Sequence, residues 1–194
     1  MKKTIVAALV VAGSLLTFQD AMADSQTVSV GWAHSDAENL NDLDGVNVQY
    51  RYEWNSPVSL VTSFTYMSGS DDDSWRDVWG NSNKQNVETK YYSLLAGPAY
   101  RINEYVSLYG LIGAAYTKAD VDYKWRSSVA ANEADGHKTI HGSDNSTSVA
   151  YAVGVSINPM ENLAIYLGYE GSSADIYDDS VSIDGFNLGV GYRF

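Results

Sequence analysis

The last nine residues, Phe186-Asn187-Leu188-Gly189-Val190-Gly191-Tyr192-Arg193-Phe194, constrain the fold more than any other stretch. Side chains alternate across a β-strand. One face therefore carries Phe186, Leu188, Val190, Tyr192 and Phe194, all large and apolar. The other carries Asn187, Gly189, Gly191 and Arg193, small or polar. A water-soluble edge strand has no use for a fully hydrophobic outer face with nothing to cover it. A strand whose large face meets lipid and whose small face turns into a narrow barrel does. The stretch predicts the closing strand of a transmembrane β-barrel.

The remaining chain fits that expectation. Met1 to Ala23 is expected to be a cleaved export signal. Lys2 and Lys3 precede an apolar run from Ile5 to Leu16, and Ala21-Met22-Ala23 forms a small-x-small cleavage site. Residues 24–194 would then form one barrel domain. Beyond the leader no stretch approaches the 18 consecutive apolar residues of a membrane helix, and the mean hydropathy is only −0.23. The sequence holds no cysteine, so closure of the strand ladder must supply what disulfides supply in small secreted domains. Its 15 Tyr and 5 Trp suit aromatic girdles at two membrane interfaces.

Seven further alternating segments precede the closing one. Val28, Val30 and Trp32 oppose Thr27, Ser29, Gly31 and Ala33. Val46, Val48, Tyr50 and Tyr52 oppose Asn47, Gln49, Arg51 and Glu53. Val58, Leu60, Phe64 and Tyr66 mark the third, and Tyr92, Leu94, Ala96, Pro98, Tyr100 and Ile102 the fourth. Val106, Leu108, Ile112 and Tyr116 mark the fifth, Val149 to Ile157 the sixth, and Leu163 to Tyr169 the seventh. Short turns at Asn55-Ser56-Pro57, Asn103-Glu104 and Asn158 to Asn162 alternate with polar stretches near 36–44, 68–86, 119–147 and 175–182. The expectation is an all-β, eight-stranded antiparallel transmembrane barrel with four long extracellular loops and both termini periplasmic. The longer strands should rise above the membrane as stiff ribbons. Pro98, which cannot donate to a ladder, belongs at a bulge or near the short-turn rim.

Arg51, Glu53, Arg101, Glu170 and Arg193 share faces with Gly, Ala, Ser and Asn. On lipid they would cost about 2–4 kcal/mol each at the midplane, so they are expected inside as a structural network. Eight strands enclose a space that side chains fill, which disfavours an ion channel.

Gly45-Val46-Asn47-Val48-Gln49-Tyr50-Arg51-Tyr52-Glu53 and the closing nonapeptide resemble the paired signatures of the Ail/OmpX/Lom family of enterobacterial outer-membrane proteins. Ala96 to Asn103 and Asn158 to Asn162 also fit it. Gln49 departs from the usual lysine. The Tyr169-Glu170-Gly171-Ser172 run and Asn187-Leu188-Gly189 are nearer the PagC and Rck branch than OmpX. The resemblance implies a monomeric outer-membrane barrel without enzymatic activity or cofactor. Its partners would be membrane lipid and lipopolysaccharide. Through the loops they could include host-cell surface, matrix or complement-regulatory proteins, giving adhesion, invasion or serum resistance. The alternative is an envelope protein whose loops meet lipopolysaccharide and divalent cations, without a protein partner.

Most of the net charge of −12 lies in the polar stretches. Such a surface repels polyanions at long range, so nucleic acid is not an expected partner and heparin is one only if the third loop's bases cluster. The acids either keep the loops soluble or bind divalent cations. Asp71-Asp72-Asp73 lacks the spacing of a calcium loop, and no metal site is expected. Trp75, Arg76, Trp79, Lys124, Trp125 and Arg126 combine residue types that anchor protein interfaces, and they are the candidate partner-binding set. Packing on the projecting sheet or on headgroups is the competing reading of the tryptophans. No catalytic residue is expected. His34 and Ser35 are adjacent in a strand and cannot face each other, while His137 and His141 read as loop residues.

Overall fold

The computed structural model describes residues 25–37, 42–77, 81–126, 137–176 and 179–194. The expected leader and Trp79 lie outside them. Eight strands follow one another: β1 (Ser25–Ala37), β2 (Leu43–Glu53), β3 (Val58–Arg76), β4 (Ser82–Arg101), β5 (Val106–Arg126), β6 (His137–Met160), β7 (Leu163–Ile176) and β8 (Asp179–Arg193). Each pairs antiparallel with the next, and β1 pairs with β8 to close a barrel. The seam continues to the chain end, where Gln26 and Phe194 exchange backbone hydrogen bonds of 2.8 and 2.9 Å. Closure leaves the membrane portion without a free edge, which is what a strand in hydrocarbon requires.

The alternation read from the sequence decides which face meets what. Val30, Leu94, Ile112, Val149 and Val190 are each more than half exposed on the outside, where lipid would cover them. The inside is filled. Large side chains there, including Tyr91, Leu95, Tyr109 and Tyr166, are buried among Ala, Ser and Thr. Tyr109 and Tyr166 fit because glycines face them. The Tyr109 phenol lies where a Cβ on Gly154 or Gly168 would stand, and Tyr166 occupies the same place over Gly31 and Gly189. The small face of the closing strand is thus the seat of an interior tyrosine.

Proline positions separate two explanations. The register shifts at Ile157/Met160, so the bulge belongs to the Asn158-Pro159 end of β6. Pro98 sits near the short-turn rim in an unshifted register, opposite Leu60 on β3. Its ladder to β5 lapses between Ala96↔Ile112 and Ala99↔Tyr109.

Strand lengths depart from the sequence reading. β1 and β2 have 13 and 11 residues, whereas β3, β4, β5 and β6 have 19, 20, 21 and 24. Much of the polar stretches at 68–86 and 119–147 is strand rather than loop, paired without interruption to Arg76↔Ser82 and Arg126↔His137. Polar residues stand on both faces there, so no apolar period marks the strands, and backbone pairing carries them. At about 3.3 Å per residue and a tilt near 40°, β5 spans roughly 50 Å, about twice the apolar band. The four strands form a blade standing beyond the barrel mouth.

Candidate functional site on the projecting blade

The five interior charges do not form one group. Glu53, almost fully buried, lies 2.9 Å from Arg51 Nη2, 2.6 Å from Arg101 Nη2 and 2.6 Å from Arg193 Nε. Three guanidiniums from β2, β4 and β8 therefore share one carboxylate near the short-turn rim. Arg51 also donates to Ser59 and Ser107. Glu170 lies apart, with no cation among the described residues at ion-pair distance. Neutral donors surround it instead. Tyr91 OH (2.9 Å) and Ser93 Oγ (2.5 Å) donate to Oε1, and Thr65 Oγ1 (2.9 Å) and Asn187 Nδ2 (3.1 Å) to Oε2. Three strands, β3, β4 and β8, meet β7 at this carboxylate.

The blade sorts its residues by face. Tyr66, Tyr92 and Tyr116 form one cross-strand row at the top of the outer apolar surface. Two residues further along comes Ser68–Lys90–Lys118, then Ser70–Glu88–Asp120, then Asp72–Asn86–Asp122. Beyond these lie Ser74–Lys84–Lys124 and Arg76–Ser82–Arg126. All are on the face that continues the lipid-facing surface. Trp75, Asn83, Trp125 and Lys138 form the row between the last two, on the opposite face. There Trp75 packs toward Tyr123 at 6.4 Å between ring centroids, and Tyr123 OH donates to the buried Asn83.

The candidate set read from the sequence is thus divided. Arg76, Lys124 and Arg126 share the outer face, while Trp75 and Trp125 share the inner one. Trp79 falls outside the described residues. Lys84 completes the outer group and was not singled out in the sequence, because pairing across β4 and β5, not proximity in the chain, brings it against Lys124. The bases of the third polar stretch do cluster.

Charge pairing sharpens the contrast. Lys90 bonds Glu88 at 2.8 Å, and Lys118 bonds Asp120 at 2.8 Å. The Glu88 carboxylate pushes the Lys90 ammonium up from its ordinary value, and the bond from Lys118 holds the Asp120 carboxyl down. The acids of the next row are also engaged, Asp72 by Asn86 and Asp122 by His141. In contrast Arg76, Lys84, Lys124, Arg126 and Lys138 have no carboxylate at ion-pair distance among the described residues. Lys84 stands directly opposite Lys124, an arrangement that costs the sheet free energy unless an anion bridges the two. Five exposed cations gather at one end of a chain of net charge −12.

His34 and Ser35 lie on opposite faces of β1. Ser35 Oγ is buried and donates to the Asp184 carbonyl at 2.9 Å, while His34 stacks outside against Trp32 at 5.3 Å. His141 belongs to strand β6, not to a loop.

The model of the Enterobacterial Ail/Lom protein family matches residues 1–194. The chain is 39% identical over 200 residues to virulence membrane protein PagC of Salmonella typhimurium, with both chains fully covered. It is 35% identical over 196 residues to outer membrane protein X of Escherichia coli K12, again with full coverage of both. The crystal structure of Ail, the attachment invasion locus protein of Yersinia pestis, in complex with the heparin analogue sucrose octasulfate is similar at a TM-score of 0.66 and 34% identity. That match covers 89% of this chain and all of the other. The chain is an outer-membrane β-barrel belonging to the enterobacterial Ail/Lom family.

Proposed function

We propose that this chain is a surface attachment protein. Its blade points out of the cell, and the outer-face cations Arg76, Lys84, Lys124 and Arg126 engage sulfated or carboxylated polymers of a host surface. The observation that carries the reading is the gathering, at the blade's end of an otherwise acidic molecule, of cations that have no carboxylate at ion-pair distance among the described residues. A rigid sheet holds them at fixed spacing, about 5 Å between strands and about 7 Å along them, so little ordering accompanies binding. Guanidiniums add bidentate geometry for sulfate or carboxylate. The complex of Ail with a heparin analogue supports the same ligand class here. Trp75 and Trp125 stiffen the blade from its inner face, and a complement-regulatory protein would meet the same tip.

The envelope reading keeps one supporting observation. Lys90 and Lys118 stand one row beyond the tyrosines, at the height where headgroup phosphates are expected. In that case, neutralising Asp36, Glu38, Asp178 and Asp179 would alter tolerance to chelator, and changes at the blade tip would not matter.

The test is expression in a non-adherent, serum-sensitive laboratory strain, with blade-swapped barrels as controls. Attachment to host cells or serum survival should rise with the intact blade alone. If neither rises while the protein is displayed at the surface, the attachment reading is wrong.

A further inference from the structure

A second group of side chains lies at the other side of the barrel mouth, on the outer face of the β1–β2 hairpin. His34 and Asp36 occupy alternate positions of β1. His34 pairs across the sheet with Asp44, and Asp42 lies one step beyond the last pair, Ser35↔Leu43, opposite Asp36. A nitrogen of His34 and one carboxylate oxygen each of Asp36 and Asp42 lie within 4.8 Å of one another.

The imidazole is oriented for a ligand. Its Nδ1 lies 3.0 Å from Asp44 Oδ1. An ionised carboxylate only accepts, so Nδ1 carries the hydrogen, and in the neutral ring Nε2 is then the nitrogen that offers its lone pair to a ligand. Nε2 points toward Asp36, 3.9 Å away. Asp44 is itself held by Trp32 Nε1 at 3.1 Å, and the ring is clamped between Trp32 and Phe186 at 5.3 and 5.4 Å. A histidine that gives its second N–H to a carboxylate is the outer-shell arrangement that fixes tautomer and ring direction in metal sites. The neighbouring Asp184 is already bonded by Tyr169 and Ser182, which sets it apart from Asp36 and Asp42.

From this geometry we infer that His34 Nε2, Asp36 and Asp42 bind a divalent transition-metal ion of the zinc type, with Asp44 as the positioning residue. One imidazole among carboxylates favours zinc over calcium or magnesium, which prefer oxygen throughout. Tetrahedral coordination places donors about 3.3 Å apart, within a side-chain adjustment of the present spacing. Three protein ligands leave the fourth position for water or an anionic oxygen. The ion would also offset the repulsion between Asp36 and Asp42 across the hairpin. The site is independent of the attachment reading.

The experiment is titration of the full outer-membrane protein, purified free of lipopolysaccharide in detergent, with Zn²⁺ alone, followed by calorimetry. Absorption after Co²⁺ substitution reports the donor set. One saturable Zn²⁺ per chain is expected, with Mg²⁺ and Ca²⁺ at least about tenfold weaker. His34→Ala and Asp42→Asn should each lose about a hundredfold or more, and Asp44→Asn about tenfold. Asp42→Asn, at an exposed position, keeps the test valid if His34→Ala fails to fold. The triple Asp71→Asn, Asp72→Asn, Asp73→Asn variant should bind as the wild type does. Absence of a saturable Zn²⁺, or equal loss in that triple variant, overturns the site.

Discussion

Two buried glutamates show how differently the same residue type can be held. Glu53 is matched by three guanidiniums, so removing its charge leaves three cations crowded at one rim. Glu170 is matched by neutral donors, and its amide analogue still accepts at one oxygen. Breaking a buried ion pair on one side typically costs about 3–5 kcal/mol, and misfitting one buried polar partner about 1–3 kcal/mol. Glu53→Gln should therefore destabilise the barrel more than Glu170→Gln in urea unfolding from micelles. The opposite order would show that the rim cluster contributes less than its geometry suggests. The sequence placed both carboxylates inside, because lipid tolerates neither. Which partners each would meet depends on the cross-strand register, and no single segment encodes that.

At the scale of the element, the membrane strands were readable, and so was the rise of the longer strands beyond the membrane, but not how far the blade extends. In Val46 to Glu53 or Phe186 to Phe194 every second residue meets lipid, which forces alternation. In Ser82 to Glu88 or Lys118 to Arg126 neither face meets lipid, and Lys, Asp, Asn and Tyr can stand on either. Extension of β3 to β6 is therefore a property of pairing, and the reading stopped where hydrophobic period stopped. The same limit explains the division of the candidate set, since Trp75 and Arg76 are neighbours in sequence but face opposite ways. β4 is paired on both sides up to Ser82. Amides of residues 83–90 should accordingly exchange slowly with solvent although they lie beyond the membrane. Exchange at the rate of an unstructured chain would mean that the blade is loop, as the polar composition first suggested.

For the whole molecule, closure and charge separation act together. The barrel buries a filled interior and leaves two chemically distinct regions at its mouth, a basic tip on β3 to β5 and an imidazole–carboxylate group on β1–β2. The proposed orientation puts the long connections outside the cell and the short turns in the periplasm. A cysteine at Ser74 should react with an impermeant thiol reagent on intact cells, and one at Asn103 should not; the reverse labelling would invert the topology.

Attachment through the basic tip is tested most directly by changing Arg76, Lys84, Lys124 and Arg126 together to Gln and measuring adherence of cells carrying equal surface amounts of each protein. Binding to immobilised heparin should fall at least about tenfold and lose most of its salt dependence, because exposed charge attraction is screened within about 8 Å at physiological ionic strength. Trp75→Ser and Trp125→Ser, on the other face, should reduce binding less. Full adherence by the four-Gln protein, with its salt dependence unchanged, would contradict the account.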